Sequence, residues 1–324
     1  MNRHLIALVP AFALLAGITQ SHAQPYPAKP VRIIVPFGPG GAADSLPRLI
    51  APKLSEAWGQ PVVIENRTGA AGNIGMEAGA KAAPDGYTLT SAPVGNLSIN
   101  PQIYSKLAYD VFKDFTPISL IGSVHNVLVI HPSIPAQTLG EFVAHAKANP
   151  GKLSFGSGGV GSQAHMGGEL LKAMTGIDML HVAYKGVGDS MKDLLGGQLT
   201  MVCAQVPSAA PLVKAGKLRA LGVASAKRSP VLPEVPTVDE AAGIKGFEAV
   251  SWYGLVGPAG MPADVVSRIQ SEVAKAVQSP EVRDKMLGMG AEPVGSTQAQ
   301  LIATMKQDYD RYGAIIKRLG IKAD

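Results

Sequence analysis

The sequence predicts an α/β protein of two units, each a mostly parallel sheet covered by helices, with a cleft between them. Short apolar, β-branched runs alternate with amphipathic helical patterns, as they do where helices connect parallel strands. The alternation starts again at His125, which indicates a second unit of similar size. A segment rich in proline and glycine, 227–262, then leads into two or three helices with no further clear strand pair.

In the first unit, Val31–Phe37 predicts a buried strand and Asp44–Trp58 a helix with its apolar residues on one face. Gly59 ends that helix. The runs PVVIEN, YTLTSA and FTPISLIG continue the strand series, and MEAGAKAA predicts a helix between the first two. Together they describe a sheet whose strands are joined by helices.

In the second unit, the predicted strands are NVLVIH, KLSFGS, MLHVAY, LTMVCAQ and LRALGVAS. Helices are predicted over Leu139–Ala148, Gln163–Thr175, Asp189–Leu195, Ala263–Gln278, Pro280–Met289 and Thr297–Leu319. We expect one lobe to comprise 24–124 plus 247–324, and the other, 125–246, to be inserted in it. Clefts between such lobes are common sites for small ligands.

Residues 1–23 have the pattern of a secretory signal peptide. Arg3 gives a positive start, Leu5–Ile18 is almost wholly apolar, and Ser21-His22-Ala23 is a small-x-small cleavage signal. The apolar run of about 14 residues is shorter than the ~20 that a membrane span needs. We therefore expect export of the mature chain after cleavage behind Ala23.

The composition excludes several classes of function. The 29 basic and 24 acidic side chains are scattered along the chain, whereas nucleic-acid binding needs a clustered basic patch. Cys203 is the only cysteine and lies in a strand-like run, which indicates a small buried residue rather than a reactive thiol. The seven histidines form no H-E-x-x-H or Cys/His motif, so we expect no metal or cofactor.

The loop PFGPGGAAD follows the first predicted strand. Its three glycines remove Cβ atoms where the chain leaves the strand, and Asp44 can cap the helix that follows. The N–H groups of Gly41, Ala42 and Ala43 would then face the cleft, since ligands of parallel sheets bind beyond the carboxyl ends of strands. A ligand-binding loop and a glycine-rich turn without a ligand fit these residues equally well.

A second loop, GSGGVGSQAH, has the same arrangement in the second unit. Its glycines have G-x-G-x-x-G spacing between a strand and a helix, so that backbone N–H groups can hold an anion. Ser157 and Ser162 add hydroxyl donors, and Ser162 is the predicted N-cap. His165 lies in the first helical turn, where it either reaches the cleft or is an ordinary packing residue.

A dinucleotide site would require an acidic residue about 20 positions further on, at the carboxyl end of the next strand. Asp178 has this spacing but precedes MLHVAY, and the far end of that strand carries Tyr184, Lys185 and Gly186. Export also argues against a diffusing nicotinamide. The residues therefore disfavour a nucleotide cofactor.

A secreted hydrolase-like enzyme is the alternative function. Neither Ser157 nor Ser162 lies in G-x-S-x-G. A triad of Ser162, His165 and an aspartate elsewhere in the chain stays open, because triads assemble from unrelated spacings.

Long motifs run in one order through the mature chain: YPAKPVRIIVPFGPGGAAD, PVVIENRTGAAGNIGMEAGAKAAPDGYTL, INPQIYSKLAYDVFKDFTPISLIG, GSGGVGSQAHMGGELL, HVAYKGVGDSMKDLLGGQ, AGKLRALGVASAKRSPVLPEVPTVDEA and WYGLVGPAGMP. With them, the chain resembles the Bug-type extracytoplasmic solute receptors, the substrate-binding proteins of tripartite tricarboxylate transporters. The resemblance implies the two-lobed periplasmic binding protein fold (type II), a periplasmic location and no enzymatic activity.

The resemblance also implies the partners. These are a small carboxylate-type ligand and the membrane components of a tripartite tricarboxylate-type transporter, with a sensor kinase as the open alternative to the transporter. We expect a monomer that binds no nucleic acid.

The family's two ligand-holding loops correspond here to Phe37–Asp44 and Ser157–His165. The first is similar to a turn that holds a carboxylate by backbone N–H groups and ordered water, and the second is expected to hold the opposite end of the ligand. The expected ligand-binding residues are Phe37, Gly40, Gly41, Ala42, Ala43, Asp44, Ser91, Ser157, Gly158, Gly161, Ser162, Gln163, His165 and Gln205.

Two positions depart from the family's pattern. Thr200 stands where an aspartate is common, and Ala204-Gln205 where an acidic residue and an asparagine are common. A buried ammonium group needs a charged partner. The hypothesis is therefore that the ligand is a carboxylate without an ammonium group.

Overall fold

The computed structural model describes residues 26–323, so the expected signal peptide lies outside the described residues. The strands are β1 (Val31–Val35), β2 (Val62–Asn66), β3 (Thr88–Pro93), β4 (Phe115–Val124), β5 (Asn126–Ile130), β6 (Leu153–Ser157), β7 (Met179–Ala183), β8 (Met201–Gln205), β9 (Arg219–Val223), β10 (Ser251–Pro258) and β11 (Ala291–Pro293).

The helices are α1 (Ala42–Trp58), α2 (Asn73–Ala80), α3 (Asn100–Ile103), α4 (Leu139–Ala148), α5 (Gln163–Thr175), α6 (Val187–Leu195), α7 (Val206–Lys214), α8 (Val238–Ala242), α9 (Ala263–Gln278), α10 (Pro280–Gly288) and α11 (Gln298–Leu319). A 3₁₀ turn covers Ala70–Gly72, and a π-helix, Gly95–Ile99, leads directly into α3.

The first sheet has the order β11-β4-β10-β3-β1-β2. β1 pairs in parallel with β2 and β3, whereas β10 lies antiparallel between β3 and β4. Neighbouring residues of β10 enter different cores: Tyr253 packs with α1 and α9, and Trp252 packs with the π-helix and α11. Helices therefore cover both faces of this sheet.

The second sheet has the order β7-β6-β8-β5-β9, with β6 parallel to β7 and β8, and β5 antiparallel to β8 and β9. Successive strand residues again divide between two cores, one with α4 and α5 and the other with α6 and α7. The fold is the predicted α/β class with two lobes, and each sheet is mixed because one strand, β10 in the first and β5 in the second, lies antiparallel to both of its neighbours.

The chain passes from the first sheet to the second at His125, between β4 and β5. Before β10, Phe247 and Ala249 pack in the core of the second sheet. The N–H of Ala249 also donates to the carbonyl of Ala224 at 2.9 Å. The return connection to the first sheet therefore comes after Ala249.

The largest difference from the sequence-based expectation is β10, which fell in the segment assigned to a connection. All eight residues of this strand are buried. Its glycines and terminal proline are typical of turns, and it has no polar alternation because both faces are covered. α7 was also missed, since it contains Pro207 and Pro211, although proline is tolerated in a first helical turn.

Within residues 26–323, none of the helices combines the length and the apolar character needed to cross a membrane.

Candidate functional site

A cavity of about 620 Å³ lies between the lobes, beyond the carboxyl ends of β1, β3, β6 and β8. Residues of both lobes line it, and the surface of its wall is mostly apolar. Four helices, α1, α5, α6 and α7, begin at its wall. The first N–H groups of a helix have no intrahelical acceptor and carry a partial positive charge, so these four ends favour an anionic ligand.

The structure brings ten of the fourteen expected ligand-binding residues to this cavity: Phe37, Gly40, Gly41, Ala42, Ala43, Gly158, Gly161, Ser162, Gln163 and Gln205. Four do not line it. Asp44, Ser91, Ser157 and His165 are buried behind the two loops, which they support.

The β1–α1 loop opens its backbone to the cavity. Gly41 is the N-cap of α1, and its carbonyl accepts from the N–H groups of Asp44 and Ser45 at 3.0 and 2.9 Å. The N–H groups of Ala42 and Ala43, which both line the cavity, stand at the open end of the helix. This end of the first lobe can therefore hold a carboxylate through its backbone.

Asp44 supports this loop from behind. Its carboxylate accepts from the Gly40 N–H at 3.2 Å, the Arg48 guanidinium at 2.9 Å and the Asn66 amide at 2.8 Å. Burial raises the pKa of Asp44, but these hydrogen bonds outweigh burial and leave that pKa below its ordinary value. The predicted helix cap at Asp44 is wrong, because its carboxylate bonds to the loop before the helix.

Ser91 lies under the same helix end. It is fully buried, and its hydroxyl donates to the carbonyl of Ala43 at 3.3 Å. It positions the first turn of α1 and does not reach the cavity.

The β6–α5 loop is capped as predicted. The Ser162 hydroxyl accepts from the N–H of His165 at 3.3 Å. The N–H of Gly161, which has φ +83°, donates to Nδ1 of the His165 ring at 3.2 Å. Ser162 therefore caps the helix, and His165 supports the turn. A nucleophile and its base would share a hydrogen bond between the serine hydroxyl and the histidine ring. Here the Ser162 hydroxyl instead accepts from the backbone N–H of His165, and the ring accepts from Gly161.

A pair of histidines, His165 buried and His181 half-buried, holds this loop from below. The rings of His165 and His181 lie 4.1 Å apart between centroids, and His181 stacks on Phe155 at 4.9 Å. The Ser157 hydroxyl is hydrogen-bonded to Nε2 of His181 at 2.7 Å. Burial, with a contribution from nearby Lys172, lowers the pKa of His165 to about 3 and that of His181 to about 4. Both rings are therefore neutral near pH 7.

Sequence reasoning missed several wall residues: Asn96, Asn100, Asn126, Lys185, Cys203 and Tyr253. Asn96 of the π-helix and Asn100 at the start of α3 follow the carboxyl end of β3, and Lys185 follows that of β7. The rule that ligands bind beyond strand ends could have indicated them. Tyr253 belongs to β10, the strand that was not expected, and had no such signal.

Two glutamines join the lobes across the cavity wall. Gln163 donates to the Tyr312 hydroxyl of α11 at 2.7 Å, and Gln205 donates to the Tyr253 hydroxyl of β10. Gly161 of the second lobe also lies against Asn100 of the first, because a Cβ at Gly161 would be 2.4 Å from Asn100 Oδ1. These contacts define the closed arrangement of the two lobes.

Thr200 lies away from the cavity. It precedes β8, and its hydroxyl accepts from the N–H of Ser154 at 3.2 Å. Gln205, at the other end of β8, lines the cavity. Of the two departures from the family's pattern, Gln205 is therefore the one that bears on the ligand.

The charged side chains of the cavity wall are few. Lys185 and Asp189 line it, and Asp189 forms an ion pair with Lys192 at 2.9 Å. Lys185 forms no ion pair with any carboxylate of residues 26–323. The wall therefore has an uncompensated positive charge in addition to its helix ends.

Two lobes of this topology, closed around a cavity walled by helix N-termini, define a two-lobed solute-binding protein. A sequence model described as the tripartite tricarboxylate transporter family receptor matches residues 46–321. Protein BugT of Bordetella pertussis is 37% identical over 324 residues, which cover 98% of each chain. The chain belongs to this receptor family and is a Bug-type receptor, as its motifs predict.

Solved structures agree. Rhodopseudomonas palustris Rpa4515 with adipate superposes with a TM-score of 0.86 at 36% identity, covering 92% of this chain and 99% of that one. MatC from Rhodopseudomonas palustris with bound malate has a TM-score of 0.83 at 32% identity, covering 90% and 100%. Receptors of this family are periplasmic binding proteins.

Proposed function

We propose that this protein binds a small carboxylate between its lobes and delivers it to the membrane components of a tripartite tricarboxylate-type transporter. The observation that carries this proposal is the convergence of four helix N-termini from both lobes on one cavity. Relatives solved with adipate and with malate support the same ligand class.

The mechanism is a bridge between the lobes. One carboxylate accepts from the N–H groups at the start of α1 in the first lobe, and the other end of the ligand binds the start of α5 in the second. A ligand that contacts both ends binds the closed form more tightly than the open form and shifts the population toward it. The transporter then distinguishes loaded from empty receptor by the lobe arrangement.

The same proposal includes the location and assembly of the protein. The mature chain begins after Ala23, is periplasmic and is monomeric. Its lobes divide between Val124 and His125, and the return falls after Ala249, a little later than the boundary expected from the sequence. It binds its ligand without converting it, because Ser162 and His165 serve the turn.

Matched glycine variants test the cavity's preference for anions. Gly188 and Gly140 each occupy the second position of a helix, are exposed and leave room for a side chain, but Gly188 lines the cavity and Gly140 does not. Gly188→Asp should weaken carboxylate binding at least about tenfold, since like charges repel at close range. Gly140→Asp should leave the affinity unchanged.

The measurement is calorimetry with malate, adipate and citrate, and NMR of the recovered ligand. Binding without chemical change supports a receptor. Steady conversion of the acid, or failure of every acid to bind, would contradict the proposal.

We further infer that the ligand has no ammonium group. Gln205 is neutral, and the carboxylate of Asp189 is already paired with Lys192, so the wall offers no free carboxylate among its residues within 26–323. A buried ammonium without such a partner is unfavourable. Tighter binding of aspartate or glutamate than of succinate or glutarate would sink this inference.

A further inference from the structure

The cavity between the lobes is larger than a short dicarboxylate fills. Its volume is about 620 Å³, within the ~300–1,000 Å³ of pockets that hold drug-sized ligands. Because a water molecule takes about 30 Å³ in the liquid, this space has the volume of roughly twenty waters. Succinate or malate would displace only a minority of them, so a short acid leaves much of the closed cavity to water.

The wall that this water would face is mostly apolar. Four apolar residues that line the cavity are only half-buried, three from the first lobe and one from the second: Phe37, Ala71, Pro93 and Val187. Part of their surface therefore stays uncovered when the lobes are closed. Since both lobes contribute, a ligand between them meets apolar surface on two sides.

Two of these side chains are fixed in place by their own lobe. A Cβ at Gly72 would lie 3.0 Å from Cε2 of Phe37, so the ring packs against that glycine. A Cβ at Gly158 would lie 3.1 Å from Cγ2 of Val187, which places this side chain against the β6–α5 loop. The apolar wall is thus held by packing within each lobe.

Charge occurs at few points of this wall. The four helix starts favour carboxylates, and Lys185 adds a positive charge. Asp189 is paired with Lys192 at 2.9 Å. The carboxylates of a ligand are therefore best held at the helix starts, and its remaining atoms face the apolar surface.

Water gains little from such a surface, because an ordered water needs about two to four polar partners. Replacing poorly ordered water with an apolar group raises affinity, by up to about fourfold for each buried CH₂. We propose that this receptor selects carboxylates with an apolar body at least as long as that of adipate, aliphatic or aromatic, over compact polar acids such as malate and citrate. The inference rests on the proposed function and narrows its ligand class.

Calorimetry with two sets of acids tests it. Adipate, suberate and terephthalate have long apolar bodies, whereas succinate, malate and citrate are compact. We expect at least one acid of the first set to bind about tenfold or more tightly than every acid of the second, since the added carbons leave water for the apolar wall.

Affinities that do not rise from the compact to the long acids would overturn the inference and leave carboxylate binding intact. Failure of all six acids to bind would overturn the proposed function as well. Among the acids that bind, the change in heat capacity on binding should become more negative with the length of the apolar body, because it follows apolar burial. Equal heat-capacity changes would show that the added carbons stay in water, which also overturns the inference.

Variants assign the preference to the wall. Val187→Thr keeps the shape of the side chain and replaces a methyl group with a hydroxyl. It should lower the ratio of the affinity for the favoured long acid to that for the tightest compact acid by about threefold. Val143→Thr, at a half-buried valine of α4 outside the cavity, is the matched control and should leave the ratio unchanged.

Ala71→Ser repeats the test from the first lobe. A merely structural effect would weaken both kinds of acid alike and keep the ratio. An unchanged ratio in both Val187→Thr and Ala71→Ser would contradict the assignment of the preference to this wall.

Discussion

The β1–α1 loop and the β6–α5 loop have the same sequence pattern and opposite surroundings. Each is a glycine-rich turn between a strand and a helix at the cavity. In the first, a Cβ added at Gly38, Gly40 or Gly41 would meet no heavy atom within 4 Å. In the second, a Cβ at Gly156 or Gly161 would lie within 2.5 Å of another side chain.

The supports of the two loops differ as well. An ionised carboxylate, Asp44, holds the first, and a neutral histidine pair holds the second. Glycine in the first loop leaves backbone open to a ligand, whereas in the second it permits close packing, within the lobe at Gly156 and between the lobes at Gly161. The same motif thus exposes backbone N–H groups in the first loop and permits close packing in the second.

The largest effect should follow from Gly161→Ala. The new Cβ would be 2.4 Å from Asn100 Oδ1 and 2.5 Å from Ile103 Cδ1, at a backbone φ of +83° that L-residues rarely adopt. Strain of about 1–3 kcal/mol at the backbone adds to the clash. We expect ligand affinity to fall about 100-fold or more, measured by calorimetry, with folding checked by circular dichroism. Wild-type affinity in this variant would show that the lobes need not meet at Gly161.

Asp44→Ala should be the next largest. It leaves the Gly40 N–H, the Asn66 amide and the Arg48 guanidinium without their acceptor, and losing one partner of such a charged network costs about 2–4 kcal/mol. Chemical denaturation at pH 7 measures the loss.

The variant should also flatten the acid limb of the curve of unfolding free energy against pH, that is, the part below about pH 4. The folded pKa of Asp44 is below its ordinary value of 3.8, so its stabilisation is present above that value and lost as the pH falls further. An unchanged limb below pH 4 would contradict this role.

The histidine pair predicts acid sensitivity in a different window. Both folded pKa values are lowered from 6.5, to about 3 and about 4, so the unfolded chain binds more protons between these values. Stability is full above pH 6.5 and falls as the pH drops, by at most about 1.4 kcal/mol per pH unit for each histidine.

Denaturation curves from pH 4.5 to 7.5 measure this slope. His181→Gln should reduce it, whereas Asp44→Ala should leave it unchanged in this range. Equal slopes in the wild type and in His181→Gln would show that the pair does not stay neutral in the folded state.

Gly41→Ala should have the smallest effect. Gly41 has φ −82° and no heavy atom within 4 Å of the new Cβ. We expect a loss of unfolding free energy of at most about 1 kcal/mol, because the new Cβ meets nothing but alanine is a poorer N-cap residue than glycine. A large loss of stability here would erase the contrast between the loops.

Sequence reasoning found the two loops because both obey local rules: apolar strand, glycines, then a helical period with Ser162 as N-cap. It misplaced Asp44, Ser91, Ser157 and His165, because burial behind a loop depends on what the tertiary fold brings there. His181, the partner of Ser157, lies in the middle of a strand, where no local pattern marks it.

The same limit explains why β10 and its cavity-lining residue Tyr253 were missed. Tyr253 reaches the site through a strand whose partners, β3 and β4, lie far away in the sequence. Pairing over such distances leaves no local periodicity for a sequence reading to detect. The fold class could be predicted because the alternation of strands and helices repeats many times along the chain. A single antiparallel strand in the centre of a sheet leaves no such repeated signal.

That strand also sets the order in which the molecule can be completed. β3 and β4 have no direct pairing in the first sheet until β10 enters between them, and β10 comes after every strand of the second sheet. As the chain emerges from its N-terminus, the second sheet has all its strands while the first still lacks its centre. The inserted lobe can thus assemble early, and the lobe that starts the chain is finished last, since long-range pairing must wait for its partner.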